Sequence, residues 1–344
     1  MKRILMIATG GTIASRRTST GLAPLITSRE VLQYVPEVQS FCAVDTLQLF
    51  SLDSTNIWPE HWLKIAAAIR EHYHQYDGFV ICHGTDTMAY TAAALSYLIQ
   101  NCPKPIIITG AQKPIDLEIT DAKTNLTDSF LYASCADAAG VHIVFDGKVI
   151  LGTRAKKARS KSYNAFSSIN YPYPAIIQDR RVITYIPQRP RGALQFWDRL
   201  NPNVALVKLT PGFRPEFLAY LLSKNDGVII ESYGVGGVPH NEYCDFPAVI
   251  AEGARAGKTI VMTTQVLSEG SDMTIYQVGH QIKKEYDIIE AYDMTTEAVV
   301  TKLMWILGQT SDPSRISQLF YTPVHCDLFA PEDADSLPSP QKKN

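Results

Sequence analysis

Two short, continuously apolar runs, Ile4 to Ala8 and Phe79 to Cys82, each break off at a glycine turn that carries a threonine, Thr12 in ATGGTIA and Thr85 in CHGTDTMAY. A run apolar at every position, rather than at alternate ones, fits a strand covered on both faces, and such strands belong to parallel sheets flanked by helices. The chain is thereby restricted to α/β architectures. In open sheets of that kind ligands bind outside the carboxyl ends of the strands, where the loops converge. Each run therefore delivers a hydroxyl to the edge where a site is expected. Asp86 follows the second threonine, and then a helical stretch with apolar Met88, Ala92, Leu95 and Ile99. A nucleophile, a second hydroxyl and a carboxylate can meet there. Taken singly, each segment has a plainer structural reading: Gly10 and Gly11 make a tight turn, Thr12 caps the element after it, and Asp86 caps its helix. Taken together, the two segments favour a site.

Strand-like and helix-like runs alternate along the rest of the chain, as in doubly wound folds. Pro59 to Tyr76 reads as a helix with Trp62, Ile65, Ile69 and Tyr73 on one face and proline in its first turn. Pro105 to Ile108, Val141 to Phe145 and Lys148 to Leu151 read as strands, the last two joined by a tight Asp146-Gly147 turn. The stretch 187–203, PQRPRGALQFWDRLNPN, breaks the periodicity and is the expected linker. Strands resume at Val204 to Leu209, Asp226 to Glu231 and Lys258 to Thr263, and a helix is expected from about Thr295 to Leu307, stopped by Gly308. This gives two doubly wound α/β domains: a larger N-terminal one over 1–186 and a smaller C-terminal one over 204–330, with a disordered tail over 331–344. A chain of 344 residues, 46% of them hydrophobic, has the apolar content for two such cores.

A net charge of −2 carries no sign of a nucleic-acid or membrane-surface protein, so the expected partner is a small molecule. Met1 to Ala8 imitates the start of a secretory signal, but Thr9-Gly10-Gly11 interrupts it early, and no later stretch is long enough to span a bilayer. A cytoplasmic protein is expected. The six cysteines show no C-x-x-C spacing, and Cys82 falls in a core strand, so reduced thiols are expected rather than a disulfide framework. His72 and His74 face different directions on a helix and there is no HExxH, so no metal is indicated. His83 reads as a packed strand-end residue. GVGG at Gly234 to Gly237 imitates a dinucleotide loop, but Pro239 stands where the third glycine belongs.

ATGGTIA and HGTDTMAYTAAAL resemble the two signature segments of the L-asparaginases, amidohydrolases that release ammonia from asparagine. The likeness continues in order through LDS at Leu52 to Ser54, ITGAQKP at Ile108 to Pro114, GTRAKKARS around Lys157, ESYGVGGVP at Glu231 to Pro239 and TTQ at Thr263 to Gln265. Within the family it is nearest the cytosolic bacterial branch, type I. The resemblance implies that Thr12 attacks the side-chain amide to give an acyl-enzyme, and that Thr85, Asp86 and Lys157 form a relay in which Lys157 and Asp86 are a buried pair. It implies that Asp53 and Ser54 hold the amino and carboxylate ends of the substrate, with Asp86 sharing the amine. Backbone N–H groups of Gly11 or Thr12, and of Thr85, are candidate oxyanion donors. No cofactor is required. Asparagine is the expected substrate, with glutamine a weak second, and sites between paired subunits imply a homodimer or homotetramer.

Two positions depart from the family pattern. Many asparaginases carry a tyrosine in the loop after the first threonine, where this chain has Leu22, and no tyrosine occurs between Thr12 and Tyr34. Thr12 must then be activated by a water or hydroxyls of the loop, or by a tyrosine from elsewhere, such as Tyr163. The segment Ser15 to Pro24 has the small, polar composition of a mobile lid. The second departure is Gly237, where relatives often have asparagine. Two other readings stand beside an active asparaginase. One is a catalytically silent aspartate-binding or asparagine-binding protein. The other is the amidase subunit of a tRNA-dependent amidotransferase, which usually carries an extra N-terminal module, whereas here Met1 opens almost directly into the first strand.

Overall fold

A computed structural model describes residues 1–329 apart from Thr20 and Tyr276. The tail expected to be disordered, 331–344, lies outside the described residues. The large sheet has eight strands: β1 Lys2–Gly10, β2 Cys42–Leu52, β3 Gly78–Cys82, β4 Pro105–Thr109, β5 Gly140–Phe145, β6 Lys148–Leu151, β7 Ala175–Gln178 and β8 Arg181–Thr184. They lie in the order β8-β7-β6-β5-β4-β3-β1-β2. The first five strands run parallel, and β6, β7 and β8 extend the sheet antiparallel. Among the parallel strands the order is thus 2-1-3-4-5, which reverses direction between β1 and β3. Thr12 and Thr85 follow the two strands that flank this switch point.

The apolar runs divide their side chains between the faces with period two. Leu5, Ile7, Phe79 and Ile81 enter a core with α2 (Pro59–His72) and α3 (Met88–Leu98). Ile4, Met6, Val80 and Cys82 enter another with α1 (Ser28–Gln33) and α4 (Ala122–Ala133). Two-sided burial is what a run apolar at every position requires.

The second sheet is wholly parallel, β9 Val204–Lys208, β10 Gly227–Ser232, β11 Thr259–Thr264 and β12 Ile289–Glu290, in sequence order. Val228 and Ile230 pack under α5 (Pro215–Lys224) and α6 (Phe246–Arg255), and α7 (Gln277–Glu285) adds Ile282 to that side. Ile229, Val261 and Ile289 pack against α8 (Thr296–Gln309) and α9 (Pro313–Tyr321). That last core crosses between the lobes, because Tyr97 of α3 stacks on Trp305 of α8 at 6.0 Å.

Several local expectations need correction. The Ser15 to Pro24 segment is an antiparallel hairpin, Ser15–Thr18 against Gly21–Pro24, in which Leu22 pairs with Arg17. A polar run such as Ser15 to Thr18 can serve an exposed two-stranded ribbon as well as a loop. Ile99 leaves α3 to form a two-residue strand with Gln100, paired with Gln195–Phe196 from the expected linker. Gly308 does not stop α8, which continues to Gln309. A Cβ at Gly308 would lie 2.9 Å from the Arg199 carbonyl oxygen, so the glycine serves close approach rather than termination. The Asp146-Gly147 turn is as expected, with φ of 52° and 68°.

Candidate active site

The two threonine loops meet through glycine. A Cβ on Gly11 would lie 2.3 Å from the Gly84 amide nitrogen, and one on Gly84 would lie 2.6 Å from the Ser54 hydroxyl oxygen. No larger residue fits at either position. Gly11 also adopts φ 79°, in the left-handed region that favours glycine. Backbone thus packs on backbone at the switch point, and the next residues along, Thr12 and Thr85, are carried to the same edge. The Leu52 to Ser54 segment closes the third side, with Gly11 N–H donating to the Leu52 carbonyl at 2.9 Å. That bond occupies the Gly11 N–H, which was a candidate oxyanion donor.

Thr85 and Asp86 are held by Lys157. The Lys157 ammonium donates to the Thr85 hydroxyl at 2.8 Å and to Asp86 Oδ1 at 2.5 Å. This is the arrangement the sequence suggested, but not a buried pair: the Asp86 side chain is 56% exposed and that of Lys157 18%. Nor does Asp86 cap its helix. Thr87 takes the N-cap position and makes no side-chain cap bond, while its hydroxyl donates to the Ser54 carbonyl at 2.8 Å. Ser54 is buried, and its hydroxyl accepts the Asp86 N–H at 3.2 Å.

Lys157 ends the strand Ala155–Lys157, which pairs antiparallel with Phe166–Ser168. Alternation along this strand sorts the neighbouring cations. Lys156 pairs with Glu297 of α8 at 3.2 Å, Arg159 donates to the Asn164 carbonyl within the turn at 3.0 Å, and Lys161 is exposed. The basic stretch is therefore not one solvated face.

Asp53 lies beside this assembly but is turned toward its own chain. It is the N-cap of the 3₁₀ turn Ser54–Asn56, and its Oδ1 accepts from both the amide and the hydroxyl of Thr55 at 2.9 Å. This matches its plainer reading as a helix-entry turn and commits one of its carboxylate oxygens. His83 is fully buried, with Nδ1 2.7 Å from the Gly84 carbonyl and Nε2 3.0 Å from the Thr91 hydroxyl, which also accepts from the Trp62 indole at 3.0 Å. Burial pushes its imidazole down to about 4, so it is neutral at pH 7 and donates through Nδ1. It is a packed strand-end residue.

One side chain of the site was missed. Gln112 stands three residues beyond the carboxyl end of β4; its Oε1 accepts from Thr85 at 3.4 Å and its Nε2 donates to the Ser162 carbonyl at 3.1 Å. The rule that singled out Thr12 and Thr85, a polar residue just past a buried parallel strand, applies equally to it. Tyr163 follows Ser162 in the same turn, and its hydroxyl is buried without a hydrogen bond among the described residues. The Lys113 ammonium lies 5.6 Å from the centre of its ring. The arrangement offers two hydroxyls on adjacent strand ends, one of them bonded to a cation, with carboxylates at the rim.

Residues 3–189 match the family model described as asparaginase, N-terminal, and residues 203–320 that described as glutaminase/asparaginase C-terminal domain. An L-asparaginase of Thermococcus kodakarensis is 40% identical over 92% of this chain and 96% of its own length. The solved structure of the thermostable L-asparaginase from that organism superposes with a TM-score of 0.90 over 95% of this chain and 99% of that one, at 39% identity. L-asparaginase 1 of Escherichia coli is 33% identical over 96% of this chain and 99% of its own length. A subunit of the glutamyl-tRNA(Gln) amidotransferase of Pyrococcus horikoshii is 34% identical over 93% of this chain, which spans 75% of that protein.

Proposed function

The chain belongs to the asparaginase family, and from that premise we propose that it is an L-asparagine amidohydrolase that works through a threonine acyl-enzyme, with Thr12 as nucleophile. The observation that carries this reading is the Lys157 ammonium bonded to both Thr85 and Asp86, one glycine contact away from Thr12.

A carboxamide is a weak electrophile, so the reaction needs an activated hydroxyl, donors for the developing oxyanion and a proton for the leaving ammonia. In the proposed cycle Thr12 Oγ1 bonds to the amide carbon, the C–N bond breaks and ammonia departs with the proton taken from the hydroxyl. Water then cleaves the ester to give aspartate and restore Thr12. The Lys157 charge lowers the cost of deprotonating Thr85, which passes protons to and from the attacking water. Asp86, exposed toward the rim with one oxygen on Lys157, faces the substrate amine with its other oxygen. Asp53 shares that role through the oxygen left free by Thr55, and Ser54 receives the carboxylate end. With Gly11 N–H engaged, the oxyanion donors are the N–H groups of Thr12 and Thr85. Proton removal from Thr12 falls to the Thr85 relay, to a water, or to Tyr163.

A cytoplasmic setting fits the six free thiols. Among the described residues no helix is long and apolar enough to cross a membrane. A homodimer or homotetramer is the proposed assembly, and light scattering measures it directly. Ammonia release from asparagine and from glutamine, followed with the purified protein, tests the activity. Release from asparagine is expected, with glutamine slower, since a pocket discriminates one methylene by only about 1–3 kcal/mol. No release from either amide would leave the silent binder as the better reading. The likeness to the amidotransferase is tested in the same assay by release from glutamine that depends on added glutamyl-tRNA.

A further inference from the structure

The strand end that carries Gln112 is itself held by a buried carboxylate. Asp121, at the start of α4, accepts the Gln112 N–H on both oxygens, at 2.9 and 3.1 Å, and the Lys113 N–H at 3.1 Å. It also accepts from the Asn125 amide at 3.2 Å. Asn125, one helical turn on and buried, donates to the Gly110 carbonyl at 3.0 Å and accepts the Asp146 N–H at 2.9 Å. Asp121, the N-cap residue of α4, and Asn125 within it therefore pin both ends of the Gly110–Lys113 turn.

Burying a carboxylate is unfavourable unless its acceptor capacity is used. Desolvation outweighs the three N–H groups and holds the Asp121 carboxyl above its ordinary range. The turn carries the Gln112 amide, bonded on one side to Thr85 and on the other to Ser162. Ser162 belongs to the turn after Lys157, whose base is closed by Ala158 N–H and Arg159 N–H on the Ala165 carbonyl at 2.8 and 3.1 Å. Gln112 thus spans the two components that the Lys157 ammonium joins.

We propose that Asp121, assisted by Asn125, is a positioning residue that aims the Gln112 amide between Thr85 and the Lys157 hairpin and so fixes the Thr85–Lys157 contact. This rests on the reading of Thr85 and Lys157 as parts of the reaction site. Asp121 touches no reacting atom; it acts through Gln112.

The test compares Asp121→Asn, Gln112→Leu and the double variant, all assayed for ammonia release and for hydrogen–deuterium exchange. Asparagine in place of Asp121 keeps the shape but presents a donor where only acceptors fit. Each single variant is expected to lower kcat by about tenfold with KM within about twofold, and the double variant to be no worse than the poorer single, because both remove one linkage. The amides of 162–165 should exchange faster in Asp121→Asn, and equally in Gln112→Leu, which leaves the brace itself intact and serves if Asp121→Asn does not fold. A lowered Tm with unchanged kcat, multiplying losses, or unaltered exchange in 162–165 overturns the proposal. If the wild-type protein releases no ammonia, the amidohydrolase reading fails by itself, and the exchange comparison still decides whether Asp121 braces the hairpin.

Discussion

At the scale of single residues, Thr12 and Thr85 are placed by close backbone packing and not by any role in the core. Thr12→Ala and Thr85→Ala should therefore each lower turnover by roughly 10³-fold, about 4 kcal/mol, with little change in Tm. Steady-state ammonia release beside a thermal melt measures both, and near-normal rates in Thr12→Ala would remove it as nucleophile. The double variant should lose far less than the product of the two. Lys157 makes a sharper case because its neighbour is a built-in control. Lys157→Met removes the cation from Thr85 and Asp86 and should abolish activity, whereas Lys156→Met only loosens the contact with Glu297 and should leave kcat within about threefold. Had the pair with Asp86 been buried, Lys157→Met would also strand an uncompensated carboxylate at a cost of several kcal/mol. With Asp86 more than half exposed, water takes over its solvation. The melt should move by no more than a few degrees, and equal mild effects at both lysines would return the basic stretch to a solvated surface.

At the scale of elements, the strands buried on both faces were legible in the sequence because every position in them answers to a core. So were the glycines beside Thr12 and Thr85, because only their absent Cβ atoms let the loops touch. The site could be read to the extent that it hangs on those strand ends. Contacts set by distant partners were harder. Gln112 takes its meaning from Thr85 and Ser162, and Gly308 from the Arg199 backbone, neither of which local pattern reveals. Lys157 could not be told from Lys156 by composition, since only strand alternation sends one to Asp86 and the other to Glu297. The Ser15–Thr18 and Gly21–Pro24 hairpin was hidden by its small polar residues, which serve a ribbon and a lid equally. Arg16 ties the ribbon to Glu30 and Asp116 at 3.6 and 3.9 Å, and a role for it at the site is proposed through Leu22. An alkyl side chain has no proton to give, so the contribution proposed for Leu22 is to exclude water. Leu22→Ala is expected to lower kcat by about tenfold, and Leu22→Tyr to be active without being required. Hydrolysis that appears only in Leu22→Tyr, measured against an inert wild type, would favour the silent binder.

At the scale of the whole molecule, the lobes are tied by the segment after α9 and by the buried histidines near it. Arg154, fully buried, reaches Asp293 at 2.8 Å and the Cys326 carbonyl at 2.6 Å, while Lys302 and Asp327 form a buried pair at 2.7 Å to which the Tyr97 hydroxyl adds a bond at 2.9 Å. Against this strap His325 stands edge-on to His142 of β5, ring centres 5.2 Å apart, with His142 in turn edge-on to Tyr132 of α4. Burial pushes His325 down to about 4 and His142 well below its ordinary value, and His83 under the site is down to about 4 as well. A histidine in the unfolded chain titrates near 6.5. As pH falls through that value the unfolded state takes up protons that the folded state refuses, so stability is full above about 6.5 and is lost progressively toward pH 4. His83 and His325 should each remove roughly 2 kcal/mol by pH 5, and His142 acts in the same direction. Asp128, raised to about 6 by burial, acts in the opposite sense, because the folded state gains its proton first. Asp121, also raised by burial, acts with it; two carboxyls do not cancel three histidines, so the melting temperature should fall between pH 7 and pH 5, by about 5 °C for a chain of this length. Calorimetry at the two pH values measures this, and His325→Gln, which cannot take up the proton, should make the fall smaller. A melting temperature that stays flat over this range would mean that these imidazoles are hydrated or charged in the folded protein, and that the strap does not close over them.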